Sequence, residues 1–394
     1  MLGTALLKKL ISIRRQIHKN PELGNREFNT AKCIEKTLIS VGLKPFRLTK
    51  TGVVAVLKPG GKGGKSGKHG TKKCIALRSD IDALPVEEKS KRAYRSSIPG
   101  VMHACGHDAN TAILLGCAML LRRDIGAINP DGCVKFIFQP NEESSGGAQQ
   151  MVSAGVLKNP RPNVIIGLHV NPLLPVGCIG IKYGEMMSAV DLLEIELSGG
   201  GGHAAYPHIG KDVVLAASEL IISLQTIVSR GLDPVDPAVL SICTVHGGAK
   251  FNVLADRVVL TGTIRTLNKR VRKDVCSAIL SMLKCVAGKY KLKYRLNIKL
   301  VGSVLSNDSR VVDMCIKSAK KIIPGNKIVR IQKPSMAGED FAHYLKYTRG
   351  CFIYIGSANK DKKYPWHHPR FDIDERCLAV GAKLLRQIAL DYLS

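Results

Sequence analysis

Two short segments concentrate the residue types that bind divalent metals and move protons. Residues 102–108 read MHACGHD and place the Cys105 thiol two positions before the His107 imidazole. Residues 138–143 read FQPNEE and end in two adjacent carboxylates just after a predicted strand. Thiolate, imidazole and carboxylate are ligands that a borderline divalent metal accepts. Together the two segments predict the core of a metallohydrolase site.

Four further segments carry residues of the same kinds, and each is weak when taken alone. A lone histidine is more often a hydrogen-bonded structural residue than a ligand, and adjacent glutamates usually mark a solvated face. The glutamate pair departs from that pattern because it interrupts the boundary between a strand and a turn, where irregular backbone carries functional groups on a rigid scaffold. The four segments contain Asp80 with Asp82, the strand-end His169, the pair His367 and His368, and the glycine-rich run GGGGHAAYPH at 199–208.

The elements that must position these residues alternate between short apolar strands and helices. Such alternation predicts an α/β layered sheet, in which ligands gather where the strands end. The chemical segments fall at those ends. Predicted strands cover 53–57, 74–78, 134–138 and 164–169, and predicted helices cover about 4–18, 27–41, 108–123 and 146–154.

Beyond Gly184 the pattern changes to a β-α-β-β-α-β order, which is typical of a ferredoxin-like α+β domain. Its predicted strands cover 191–197, 239–246, 257–264 and 294–300, and its predicted helices cover 212–230 and 269–290. Helices at 308–322 and 375–393 then resume around a strand at 351–356. We therefore predict a catalytic domain of residues 1–187 and 304–394, with residues 188–303 inserted into it.

The composition is that of a globular protein of two domains. The 394 residues are 45% hydrophobic, and single cores stop growing at roughly 250–300 residues. No apolar run approaches the ~18 residues that span a bilayer, and the N-terminus lacks the core of a signal peptide, so a cytoplasmic location is the default expectation.

Twelve cysteines are scattered without a C-x-x-C pair and are expected to be mainly reduced core thiols; Cys105 differs because it lies in a polar turn.

The net charge of +28 attracts polyanions whatever else the protein does. The densest basic cluster lies at about 58–73 and contains no acid and no aromatic residue. Without side chains that stack on bases, it is expected to be a solvated, flexible hairpin loop. The alternative is a non-specific contact surface for anions.

In their order along the chain, these segments resemble the metal-dependent amidohydrolase family that contains aminoacylases, hippurate hydrolases, auxin-conjugate hydrolases and related carboxypeptidases. The resemblance runs from IHKNPEL at 17–23 to the C-terminal helix. It implies an α/β, mixed-sheet catalytic domain of the di-metal aminopeptidase type, with an inserted lid domain that also dimerises. Two departures are Asn110, where the family usually has a second histidine, and the longer, more basic loop at 58–73.

The resemblance also implies a role for each chemical residue of the catalytic domain. Glu142 would be the general base, because a carboxylate committed to a cation loses basicity and its neighbour must take the proton from water. Asp80 and Asp82 would support the metals from behind, and residues 336–341 would close the floor of the site. The implied metal ligands are Cys105, His107, Glu143, His169 and His367, the last preferred over His368 because it stands two residues before the proline.

Three lid residues complete the set that the resemblance implies. His203 would reach the site of the partner subunit and stabilise the oxyanion. Asn252 and Arg265 would hold the carboxylate of the substrate, a task that suits the planar fork of arginine. Without the resemblance, Arg265 would be taken for a surface residue of a strand.

The resulting hypothesis is hydrolysis of an N-acyl amino acid to a carboxylic acid and a free amino acid. It implies two divalent metal ions (zinc, manganese, cobalt or nickel) and a homodimer or a dimer-based tetramer. The nearest rival is a carboxypeptidase or dipeptidase with the same machinery. A rival from another class is a basic polyanion-binding protein with a relic hydrolase fold, against which the intact ligand set argues. The acyl group and the native metal stay open.

Overall fold

The computed structural model describes residues 2–59, 73–358 and 364–394. Most of the predicted lysine-rich loop, residues 60–72, therefore lies outside the described residues. The chain divides into two compact units. The first comprises Met1–Met186, Ser306–Lys333 and Asp340–Ser394, and the second comprises Met187–Leu305 and Pro334–Glu339.

The described residues form eight α-helices and sixteen strands. The α-helices are α1 (Leu2–Lys19), α2 (Phe28–Ser40), α3 (His107–Arg123), α4 (Gly147–Ser153), α5 (Val213–Arg230), α6 (Lys269–Lys289), α7 (Ser309–Ala319) and α8 (Cys377–Leu393). The strands are β1 (Phe46–Arg47), β2 (Val53–Leu57), β3 (Lys73–Asp80), β4 (Gly132–Gln139), β5 (Val164–Pro175), β6 (Ile179–Ile181), β7 (Gly184–Met187), β8 (Ala189–Ser198), β9 (Gly202–His203), β10 (Ala238–Gly247), β11 (Val253–Leu254), β12 (Arg257–Thr266), β13 (Lys293–Gly302), β14 (Leu305–Asn307), β15 (Ile328–Arg330) and β16 (Arg349–Ala358).

An eight-stranded mixed sheet forms the centre of the first unit, in the order β1-β2-β4-β3-β5-β16-β6-β15. The middle strands β4, β3, β5 and β16 are parallel, and every residue of β4 is buried, as expected for parallel strands covered on both faces. Asp80 at the end of β3 lies opposite Gln139 at the end of β4. Loops that follow these strands therefore meet at one edge, and the prediction of a mixed α/β sheet is confirmed.

Helix α3 carries the first chemical segment into the core of this unit. It packs against β3, α1 and α8, and residues 107–118 are all buried. A helix that is buried on every side needs small residues where its neighbours come close. At Gly116, for example, a Cβ atom would lie 2.8 Å from Leu10 Cδ1. Because α3 begins at His107, this packing fixes the imidazole at the edge of the sheet where β3 and β4 end.

The second unit contains a four-stranded antiparallel sheet in the order β10-β12-β8-β13. Helices α5 and α6 contribute Leu220, Leu224 and Ile279 to a core shared with Leu193 and Ile195 of β8. Helix α5 is, among the described residues, long and apolar enough by length and composition to cross a membrane. Core helices of globular proteins pass the same test, and its buried residues belong to this core.

Candidate metal centre

The segment before α3 brings a thiol and two imidazoles together. Gly106 has a φ of +96°, and a Cβ atom there would lie 2.5 Å from Val170 Cγ2, so glycine is required between Cys105 and His107. Cys105 Sγ lies 3.4 Å from His169 Nε2. Ligand atoms of Cys105, His107 and His169 all lie within 4.8 Å of one another. Two residues near in sequence and one at a distant strand thus form a compact set of donors.

Both imidazoles of this set use one ring nitrogen for a hydrogen bond to the protein. His107 Nδ1 lies 3.0 Å from the Asp82 carbonyl oxygen and 3.1 Å from Asp82 Oδ1. His169 Nδ1 lies 2.8 Å from the Val170 carbonyl oxygen. Because a carbonyl oxygen can only accept, each Nδ1–H donates to it, and Nε2 is the ring nitrogen left to face the cluster. This is the arrangement in which an outer carboxylate or carbonyl orients a metal-binding histidine.

Glu143 lies close to both His107 and His367. Its backbone N–H donates to Asp82 Oδ2 at 3.0 Å, while its Oε1 lies 3.8 Å from His107 Nε2 and its Oε2 lies 3.5 Å from His367 Nε2. Glu143 Oε1 is buried and has no hydrogen-bond partner among the described residues. A buried carboxylate oxygen without a donor is costly, and a cation would satisfy it. The donors present therefore fit a divalent metal.

Further groupings of the same donors extend the cluster. The ligand atoms of Cys105, Glu143 and His367 lie within 4.8 Å of one another, and so do those of His107, Glu142 and Glu143. Cys105 and Glu143 each belong to more than one grouping. Overlapping groupings of this kind are compatible with a pair of neighbouring cations.

The backbone at His367 is held in an unusual conformation. Its φ is +65°, and its N–H donates to the Ala104 carbonyl oxygen at 2.8 Å. Non-glycine residues in this region are strained and are found where the surroundings impose the conformation. The neighbouring His368 stacks on Tyr364 at 4.4 Å and accepts the Arg370 N–H through Nδ1. Of these two histidines, His367 belongs to a donor grouping and His368 does not. This placement agrees with the preference for His367 as a ligand.

Trp366 packs beside the cluster. Its indole Nε1–H donates to the Val170 carbonyl oxygen at 3.0 Å, the same oxygen that His169 contacts. The indole meets the His169 ring edge to face, with the ring centres 5.6 Å apart. The orientation of His169 is thus fixed by packing as well as by its own hydrogen bond.

Asp80 is fully buried, and its Oδ2 lies 3.8 Å from His107 Nε2. Its Oδ1 accepts from Asn110 Nδ2 at 2.8 Å, and its Oδ2 accepts from Arg78 at 3.0 Å. Burial opposes ionisation of Asp80, but His107 and Arg78 outweigh that effect and hold its pKa below the usual range. The Asn110 amide also accepts the Val170 N–H at 3.1 Å. Asn110, the departure from the usual histidine, therefore links Asp80 to the strand that carries His169.

Glu142 is contacted by the backbone of Asp340, whose own side chain is held by several partners. The Asp340 N–H donates to Glu142 Oε1 at 3.3 Å, and the Asp340 carboxylate is held by Arg78 at 3.0 Å, by Gln139 at 2.7 Å and by the Ala148 N–H at 2.9 Å. Neither Arg78 nor Gln139 was predicted from the sequence to have this task. The sequence signal that could have identified Arg78 is its charge inside an apolar strand, because a buried arginine must be paired with an acceptor.

Without a cation, the donors hold their protons unequally. Burial and the nearby Glu143 raise the pKa of the Cys105 thiol well above its ordinary value. Burial disfavours the charged form of His107, but Asp80 and Cys105 outweigh it and raise the pKa of this imidazole. Burial lowers the pKa of His169 to about 4. Cys105 and His107 thus keep protons at neutral pH that a metal would have to displace.

The three predicted lid residues belong to the second unit. His203 pairs with Val253 in a two-stranded ribbon, and the Ala204 N–H donates to the Asn252 carbonyl oxygen at 3.1 Å, so His203 and Asn252 are neighbours. Arg265 lies on the four-stranded sheet, where its Nε donates to Thr263 Oγ1 at 3.0 Å. Their roles with substrate stay predictions.

A family model described as peptidase family M20/M25/M40 matches residues 76–391. An N-acetyl-L-cysteine deacetylase of Bacillus subtilis is 39% identical over 98% of this chain and 88% of its own length. A thermostable carboxypeptidase of Saccharolobus solfataricus is 34% identical over 97% of this chain and 95% of its own. A crystal structure of a Bacillus subtilis dinuclear metal-binding peptidase superposes with a TM-score of 0.83 at 32% identity, covering 99% of both chains.

Proposed function

The chain belongs to peptidase family M20/M25/M40 and is a hydrolase of amide bonds, and from this premise we propose that its substrates are N-acyl amino acids. The products would be a carboxylic acid and a free amino acid. The observation that carries the proposal is the cluster in which Glu143 Oε1 lacks a donor among the described residues while its neighbour Glu142 is oriented by the Asp340 N–H. Similarity to an N-acetyl-L-cysteine deacetylase supports this substrate class.

Five residues would hold two divalent ions at the edge of the sheet, and their donor atoms make this assignment chemically consistent. When bound, such ions polarise a carbonyl group and lower the pKa of water toward about 7. The mixture of thiolate, imidazole and carboxylate suits zinc, manganese, cobalt or nickel. The proposed ligands are Cys105, His107, Glu143, His169 and His367.

Glu142 would act as the general base and would later return the proton to the leaving nitrogen. Glu142 is partly exposed, and its Oε1 accepts the Asp340 N–H. Asp82 would orient the site through two contacts, since it bonds both the His107 ring and the Glu143 N–H. Asp80 would balance the charge of the imidazoles from behind.

The second unit would act as a lid and as the surface through which two subunits associate. His203 would stabilise the oxyanion in the site of the partner subunit, and the loss of one such donor typically costs roughly 2.7–4 kcal/mol of barrier. Asn252 and Arg265 would bind the substrate carboxylate. Burial lowers the pKa of Arg265, yet arginine stays charged, so the guanidinium remains a suitable partner. The cytoplasm is the proposed compartment.

A substrate screen tests the proposal. The purified protein is stripped with a chelator, loaded separately with zinc, manganese, cobalt or nickel, and offered acetyl, benzoyl and indolylacetyl amino acids beside dipeptides. We expect turnover of at least one N-acyl series. Faster turnover of dipeptides would favour the carboxypeptidase alternative, which the similarity to the Saccharolobus solfataricus enzyme keeps open. No turnover with any metal would overturn the proposal.

A further inference from the structure

Residues 18–27, HKNPELGNRE, cover the end of α1 and the loop that leads to α2, and they contact segments that carry residues of the proposed site. His18 Nδ1 lies 2.8 Å from Oδ2 of Asp108, the residue that directly follows His107 in the chain. The N–H of Ala83, the residue that directly follows Asp82, donates to the Glu22 carbonyl oxygen at 2.9 Å. This segment carried part of the sequence resemblance, yet none of its residues belongs to the proposed chemistry.

Glu27 makes the contact nearest to the proposed base. It is fully buried; its Oε1 accepts the Asn141 N–H at 2.9 Å, and its Oε2 accepts the Thr51 hydroxyl at 2.7 Å. Asn141 has a φ of +55°, a conformation that needs support. On its other side Asn141 meets Gly24, where a Cβ atom would lie 2.1 Å from Asn141 Oδ1. The segment thus holds Asn141 at both its backbone and its side chain.

Any change in the backbone of Asn141 turns the residue that follows it, which is Glu142. Glu143 is less dependent on this support because its own N–H is anchored on Asp82 Oδ2. We propose that Glu27 is a positioning residue for the reaction, which aims the Glu142 carboxylate by fixing Asn141 and contacts neither substrate nor metal. The proposal rests on the amide hydrolysis proposed above.

Glu22 provides a matched control within the same segment. Its carboxylate also accepts backbone N–H groups, those of Asn29 at 2.9 Å and Thr30 at 2.8 Å, but these lie at the start of α2. Removing it should destabilise α2 and leave the Glu142 loop in place. The two glutamates therefore separate a loss of folding stability from a loss of orientation at the site.

The test compares Glu27→Ala, Glu27→Gln and Glu22→Ala in the metal-loaded protein. We expect Glu27→Ala to lower kcat by up to roughly 100-fold, the size of effect that a 1 Å misplacement produces, with KM and metal content unchanged. Glu27→Gln keeps an oxygen that can accept the Asn141 N–H and should recover most of kcat. Unchanged kcat in Glu27→Ala, or an equal loss in Glu22→Ala, would overturn the proposal.

Hydrogen exchange of the peptide that covers residues 138–147 supplies a readout that does not depend on turnover. Glu27→Ala should speed exchange of the Asn141 amide, and Glu22→Ala should not. A wild-type protein without turnover would overturn the proposed function alone, whereas unchanged exchange in Glu27→Ala would overturn the positioning role alone.

If Glu27→Ala does not fold, Thr51→Val removes only the hydroxyl that donates to Glu27. It should change kcat and exchange in the same direction by a smaller factor, and wild-type values for both would count against the proposal.

Discussion

The two edges of the eight-stranded sheet differ in how their polar groups are held. Where β3 and β4 end, most of the carboxylates, the imidazoles and the thiol are buried or partly buried, although the His367 side chain is 54% exposed, and most of these groups make a second contact with the protein. Where β5 and β16 begin, a groove of about 1150 Å³ is lined by the cations Lys58, Arg161, Arg310 and Arg349. These four side chains are exposed. One edge is a set of fixed donors, and the other is a charged surface.

From this difference we expect the chemistry to depend on fixed donors more than on net charge. An exposed cation attracts any polyanion, with an energy that salt screens. A buried donor such as His107, which lies 3.1 Å from Asp82 Oδ1, would select a cation by geometry. The charge of +28 therefore says little about the reaction, and the two edges should respond differently to substitution.

The largest effect is expected at the proposed base. Glu142→Gln keeps the shape of the side chain and removes its ability to take a proton, so kcat should fall by about 10²–10⁴-fold. Metal content should stay that of the wild type, because Glu143 and the other proposed ligands remain. Elemental analysis beside steady-state kinetics checks both points. Retained turnover would contradict the assignment.

Removal of a proposed ligand should affect binding and turnover together. Cys105→Ala should lower metal affinity by more than the roughly 10–100-fold typical of changes to outer partners. Cys178→Ala is the matched control, because this thiol is also half-buried but is outside the donor groupings. Metal titration of the chelated protein measures the difference. Equal affinities in the two variants would show that Cys105 is structural.

Metal uptake at this edge should release protons and strengthen as pH rises. The pKa values of Cys105 and His107 are raised in the metal-free chain, so both groups are protonated at neutral pH and must lose their protons to bind. His169, with a pKa lowered to about 4, is already neutral and releases none. Apparent affinity should therefore rise about tenfold per pH unit for each proton released. Calorimetry in buffers of different ionisation enthalpy counts the protons, and uptake without release would contradict these shifts.

A smaller effect is expected at Asn110, which bonds the Asp80 carboxylate. Asn110→Ala removes the amide that joins Asp80 to the Val170 N–H and leaves buried polar groups without partners. Unfolding free energy should fall by about 1–3 kcal/mol, which denaturant titration can measure. Asn110→His, which installs the residue usual in the family, serves as the comparison. A loss confined to the histidine variant would show that the asparagine contacts contribute nothing.

The smallest effect on turnover is expected at the opposite edge. The double substitution Arg161→Glu and Arg310→Glu should leave kcat unchanged and weaken retention on a heparin column. A matched variant that replaces Lys62, Lys65 and Lys68 with serine separates the groove from the lysine-rich loop. A fall in kcat for the groove variant would contradict the expectation that this basic edge of the sheet takes no part in the reaction.

Much of the layout could be predicted from sequence because periodicity and turn residues are local. The strands at 53–57 and 164–169 and the helices around 108–123 and 212–230 agree with the structure within a few residues, apart from β5, which continues to Pro175. The short strands β1, β6 and β15 were not predicted, since two or three residues carry no periodic signal.

The supporting contacts of the site were harder to predict for a different reason. Arg78, Gln139 and Glu27 act through partners 24 to 262 positions away in the chain, and no local pattern encodes such a pairing. Asp82 shows the same limit. Its acidic side chain was selected from the sequence, but its link to both His107 and the Glu143 N–H depends on how three loops meet.

Trp366 is the single tryptophan of this chain, and its ring lies against the His169 imidazole. Indole fluorescence of the folded protein therefore originates at one place, beside a proposed ligand. Filling of the neighbouring position by cobalt or nickel, whose unpaired electrons quench nearby emission, can be followed optically without a label and without any substrate. The same emission gives a stopped-flow signal for the rate at which cations enter and leave.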